Sequence, residues 1–281
     1  MSAGGPLSGV LNLGMVERAL RETWKTTLAL AVLVGAVCGL LSRALPAVQE
    51  RFMQRSFVPP QLQELRNTML GIDSAASTLT EIAYSLAWSH PLMLVILFAH
   101  AIILCTRVPA GEIDKGTIDV LFGLPVSRFA LLMSETLAWL ISAGVLLGAV
   151  LLGSYIGSQW VKPEYRPDWG TMSLVLAHLS LVYGVIGSVA LLAAACNDRR
   201  GRAVLIVLVA AVASLVLNFL EILWEPARNI AFLSVLHYYR PAIILREDAM
   251  QWKDFAILGG ICLASWITTA IVLARRSLSS T

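Results

Sequence analysis

Polar and charged positions along this chain gather into short clusters, and the stretches between them are apolar almost without interruption. A helix needs about 20 mostly apolar residues to cross a bilayer. Six runs read as such spans: Thr27 to Leu45, Pro91 to Cys105, Phe129 to Ile156, Met172 to Cys196, Ala203 to Ile222 and Phe255 to Ala274. The runs are continuous rather than alternating. Inside lipid, where every backbone polar group must find an internal partner, this favours helices over barrel strands. The pattern predicts an all-α, polytopic membrane protein with six transmembrane helices, forming a single domain over residues 1–281.

Three connecting stretches carry patterns of their own. In 1–26, Leu13, Val16, Leu20 and Trp24 recur at helical spacing opposite Glu17, Arg18 and Arg21, which predicts an interfacial helix leading into span one. In the loop 42–90, Leu45, Val48, Phe52, Leu62, Leu65, Met69 and Ile72 are interrupted by Pro59-Pro60, which suits two short amphipathic helices lying on the membrane or capping the bundle. In the loop 107–129, Ile113, Thr117, Val120, Leu121 and Leu124 share one helical face, with Glu112, Lys115 and Asp119 on the other. A short amphipathic helix follows, ended by Pro125, after which Ser127 can cap span three.

Composition agrees with the pattern: 57% hydrophobic against 14% charged residues, with a mean hydropathy of +0.75, is far from an ordinary soluble domain. Leu28 to Leu41 could instead be a signal-peptide core, since small residues follow at Ala44 to Ala47. The long preceding region with Glu17 and Glu22 favours a retained span. Arg199, Arg200 and Arg202 after span four, and Arg275 and Arg276 after span six, place both termini and the loops after spans two and four in the cytoplasm of a cell (inner) membrane protein. The opposite loops also carry basic residues, so these arginine clusters are the main support for that orientation. Cys38, Cys105, Cys196 and Cys262 all lie in or at the ends of apolar runs, which argues for buried thiols rather than a disulfide framework.

Candidate chemistry is sparse. No P-loop, HExxH, GxSxG or paired intramembrane carboxylates occur, so an enzyme is not expected, and nothing suggests a metal, a bound cofactor or a nucleic acid partner. No internal repeat and few intramembrane charges speak against an ion-coupled carrier. His100 and His178 could ligate haem if their spans faced each other, although polar contacts between helices account for them more simply. Gly35/Gly39, Gly144/Gly148 and Gly153/Gly157 are spaced for close helix approach, either in a dimer or within the bundle. Trp88, Trp160, Trp169, Trp224, Tyr238, Tyr239 and Trp252 suit an interfacial aromatic belt, and Glu221, Glu225, His237 and Arg240 could gate an outward path.

The loop between spans two and three is different in kind. Glu112, three residues, Gly116-Thr117, a hydrophobic stretch to Leu121-Phe122, then Leu124-Pro125-Val126-Ser127-Arg128 resembles the signature of type-2 ABC-transporter permeases. The six spans, the amphipathic N-terminal helix and Tyr238-Tyr239-Arg240-Pro241 before the last span extend the resemblance over nearly the whole chain. The resemblance implies a cytoplasmic coupling helix that docks in a groove of a separate ABC ATPase subunit, which carries ATP and Mg. Two such ATPase copies would serve a pair of permease copies in the membrane lipid, exporting an unidentified substrate. On this resemblance the coupling role falls to Glu112, Gly116, Thr117, Leu121, Pro125, Ser127 and Arg128, with Gly116 permitting close approach and Pro125 setting the exit angle. Members often carry a lysine where this chain has Glu135. Two alternatives of other kinds are an ABC-type scaffold that moves an extracytoplasmic partner without transport, and a haem or redox membrane protein.

Overall fold

The computed structural model describes residues 11–54, 79–118 and 127–276. Its long helices are α1 (Leu13–Gln54), α2 (Leu79–Trp88), α3 (Pro91–Cys105), α4 (Arg128–Ser158), α5 (Trp169–Cys196), α6 (Arg200–Leu223), α7 (Pro241–Glu247) and α8 (Trp252–Arg275), and no strand occurs among the described residues. Six helical stretches are long and apolar enough to cross a membrane, so the chain has the character of a multi-pass helical membrane protein.

Local chemistry sets several boundaries. Pro91 occupies the first turn of α3, where its missing N–H is no loss. Ser127 accepts from the Ala130 N–H to start α4, and Asp168 accepts from the Thr171 N–H to start α5. The predicted interfacial helix and span one are a single continuous helix, because no glycine or proline separates Lys25 from Thr27. Part of the predicted surface loop 42–90 is also different: α1 runs on to Gln54, and α2 is packed into the bundle with Tyr84 and Trp88 fully buried. Trp88 therefore belongs to the core, whereas Trp160, Trp224 and Trp252 are exposed at span ends as a belt requires. Tyr239 is buried too and donates to the Trp88 carbonyl at 3.1 Å; burial holds its phenol well above the usual range, so it remains a donor.

The most enclosed span is α5, with 72% of its apolar window buried, against 17% for α8. The most extensive helix pair is α1 with α4, which run parallel. There Gly35 lies against Ala149 and Gly153, and Gly39 against Gly153 and Gly157. These two glycine pairs are used inside the bundle, while a side chain at Gly144 or Gly148 would meet no protein atom.

Four spans meet at a buried polar relay. The Trp139 indole can only donate, and it donates to the Tyr183 hydroxyl at 2.9 Å. Tyr183 then donates its own proton to His100 Nδ1 at 2.8 Å, leaving Nε2–H to donate to Thr27 Oγ1 at 3.1 Å. His100 is neutral in this arrangement, and neither ring nitrogen is free for iron. Tyr183→Phe orphans both the Trp139 N–H and His100 Nδ1, and is expected to cost about 1–3 kcal/mol. Thr27→Val orphans only the His100 Nε2–H at the end of the relay, one group where Tyr183→Phe leaves two, for about 1 kcal/mol. Unfolding of the two variants in the same detergent checks the order; equal costs would break the relay.

Candidate functional site beneath the connecting segment

The segment after α3 does not loop away from the bundle. Arg107–Gly111 forms a buried turn, and Glu112–Asp114 adds one helical turn. The Thr117 N–H then bonds the Glu112 carbonyl and the Gly116 N–H bonds the Ile113 carbonyl, both at 2.9 Å. This pair of bonds is the Schellman stop, and it puts Gly116 at φ +70°, in the left-handed region that favours glycine. One expectation changes as a result. Helix geometry is interrupted at Gly116, so one helix does not run from Glu112 to Leu124. Gly116 is shaped by this turn, and its outer face is open, with no atom of the chain within 4 Å of where a Cβ would be.

Glu112 also departs from the solvent-facing position that the helical pattern predicts: it is only 3% exposed. One of its oxygens accepts from Thr117 Oγ1 at 2.6 Å and the other from the Arg18 guanidinium at 3.2 Å. Arg18 also holds Glu22 at 2.7 Å. Glu22 in turn receives Arg107, whose second nitrogen donates to both oxygens of Glu135 at 2.7 and 2.6 Å. A continuous chain of charge-assisted bonds thus runs Thr117, Glu112, Arg18, Glu22, Arg107, Glu135. It ties the connecting segment to the start of α1 and to the first turns of α4. Three carboxylates face two guanidinium groups, with Arg107 and Glu135 side chains only 10% and 13% exposed.

Apolar contacts reinforce the clamp. Met15, Val108, Ile113, Ile118 and Leu131 form a separate buried cluster under the segment. The Asn12 N–H donates to Ser134 Oγ at 3.1 Å, pinning the start of α1 to α4. Arg128 donates to the Leu273 carbonyl at 2.9 Å and to that of Arg276, while Arg276 reaches the Ala195 carbonyl and Asp198. The first turn of α4 is thereby joined to the last turns of α8 and α5.

Of the seven residues expected to couple, Glu112 and Thr117 meet in this network, Gly116 shapes it, and Ser127 and Arg128 organise the start of α4. Leu121 and Pro125 lie outside the described residues. Asp114, Lys115, Gly116 and Thr117 form the exposed face of the segment. Arg18, Glu22, Arg107 and Glu135 were missed as site residues. Only the Arg18/Glu22 spacing of four could have signalled part of the network; Arg107 pairs across 85 and 28 residues. Glu135, which departs from the lysine of the resembled signature, is the carboxylate that receives Arg107.

At the opposite ends of the spans, His237 donates from Nδ1 to Glu221 at 2.9 Å, and Arg240 approaches His237 Nε2 at 3.3 Å. Glu225 is exposed and is not part of this group. Searches against models of protein families, characterised proteins and solved structures find no match to the chain.

Proposed function

We propose that this chain is the membrane-spanning subunit of an ATP-driven ABC exporter. It works as one of a pair, and the segment 111–128 receives a separate cytoplasmic ATPase subunit that binds ATP and Mg. The order and spacing of Glu112, Gly116-Thr117 and Leu124 to Arg128 support the reading, as does the place of the segment between spans two and three. The observation that carries it furthest is the continuous, partly buried chain of bonds from Thr117 and Glu112 to α1 and α4. A push on the exposed Asp114–Thr117 face cannot be absorbed by a slack loop. It passes through Arg18 to α1 and through Arg107 to α4, the two helices with the most extensive shared packing. That is the mechanical property a docking element needs.

The reading is tested on the full chain purified gently from its native membrane. A P-loop ATPase with Mg-dependent hydrolysis is expected to co-purify with the wild type. Asp114→Lys combined with Lys115→Glu keeps the net charge and touches only exposed positions, so stability should stay within about 0.5 kcal/mol. The ATPase is expected to be lost. Full retention by this variant, or no ATPase with the wild type, sinks the docking assignment.

A further inference from the structure

A groove of about 720 Å3 runs between α1 and α4 on their outward side. Its floor is made of small residues, among them Gly35, Gly148 and Ala149, and exposed Val32 and Leu152 stand along its rim. The groove is apolar until its end, where Arg43 lies over the Trp160 ring at 5.2 Å. Both are exposed, and Arg43 has no carboxylate partner among the described residues. Among the described residues no acidic side chain lines the groove.

We propose that this groove binds one anionic phospholipid, with an acyl chain along the Gly148 and Ala149 floor and the phosphate against Arg43. Two features select that occupant. From Leu28 to Arg43 the groove follows α1 for about 22 Å, at 1.5 Å per residue. Half of a bilayer including its headgroup region is about 20–22 Å deep. The apolar stretch of α1 begins at Leu13, ahead of the Thr27 expected from run length, and the groove runs beside only the second half of α4 from Val145, so it has the length of one leaflet. At the surface end, a guanidinium offers paired donors to a phosphate, and Trp160 supplies the amphipathic ring favoured at headgroup level. The proposal needs only that the chain spans a membrane, and stands independently of the transporter reading.

The test is native mass spectrometry of the full chain in detergent, equilibrated with phosphatidylglycerol or with phosphatidylcholine of the same acyl length. Wild type is expected to retain one phosphatidylglycerol per chain, with about fivefold preference over phosphatidylcholine, the scale of one basic residue at an anionic surface. Arg43→Gln should abolish the preference. Gly148→Leu fills the floor where an added side chain meets no protein atom, and should remove both lipids. Arg43 is exposed, so its result stands even where the Gly148 variant fails to fold. Equal retention of the two lipids by wild type, or unchanged preference in Arg43→Gln, overturns the proposal. So does a Gly148→Leu protein that loses a second copy while keeping its lipid, which would make the groove a protein interface.

Discussion

Arg107→Ala is expected to destabilise the protein by about 3–5 kcal/mol, the scale for breaking an ion pair that is largely removed from solvent. The Arg107 guanidinium holds Glu135 with two bonds and Glu22 with another, and the Arg107 and Glu135 side chains are almost fully covered. After truncation, Glu135 faces apolar surroundings with no bonded counter-charge and only the more distant Arg18, whereas Glu22 keeps its bond to Arg18 and contact with solvent. The deficit therefore sits on Glu135. Combining Arg107→Met with Glu135→Leu should recover most of the loss, because an apolar pair removes the desolvation cost along with the attraction. Chemical unfolding in one detergent, read as a double-mutant cycle, should give a coupling of about 2–3 kcal/mol. A double variant as unstable as Arg107→Ala would mean that Arg107 acts through packing and not through Glu135. On the proposed function the recovered double variant has a further use. It would retain the exposed docking face yet lack the link to α4, and should bind an ATPase without full stimulation of hydrolysis.

The second large effect is expected where α1 crosses α4. A Cβ on Gly153 would lie 2.1 Å from the Gly35 carbonyl oxygen, and one on Gly157 would lie 2.2 Å from that of Gly39. The obstacle in each case is backbone, so no rotamer change relieves it and the helices must part. Overpacking in a core usually costs about 1–3 kcal/mol, and a backbone clash places Gly153→Ala at or above the upper end. Parting the helices for one glycine also makes room at the other, so Gly153→Ala and Gly157→Ala should be less than additive. Gly144→Ala and Gly148→Ala meet nothing within 4 Å and should stay within about 0.5 kcal/mol of wild type. Thermal unfolding of the four single variants separates the two classes. Comparable losses at Gly148 and Gly153 would disprove the crossing.

The contrast among these glycines shows where reading the chain alone stops. All six sit at the same spacing of four in apolar runs, so nothing local distinguishes the two pairs at the crossing from the one pair in open space. The same limit applies to the site. Ser127 was legible as a cap because its acceptor role involves Ala130, three residues on. Glu112 was not legible as buried, since the helical pattern put it on the polar face and its cation, Arg18, lies 94 residues away. Gly116 was recognisable as a special position, but the physical reason for it required the backbone path around 112–117.

Six spans, their all-helical character and most of their limits follow from the linear order of residues, because apolar run length, caps and turns act over a few positions and the lipid requirement for internal backbone pairing admits little else. Which faces meet does not follow. The clamp of Arg107 on Glu22 and Glu135, the relay from Trp139 to Thr27, and the division of glycines between the crossing and open positions each depend on helices distant in sequence arriving at one depth and one rotation. Those pairings have no periodicity of their own. They exist only once α1, α4 and α5 are packed, when an unpaired charge or a misplaced Cβ becomes costly enough to select a single arrangement.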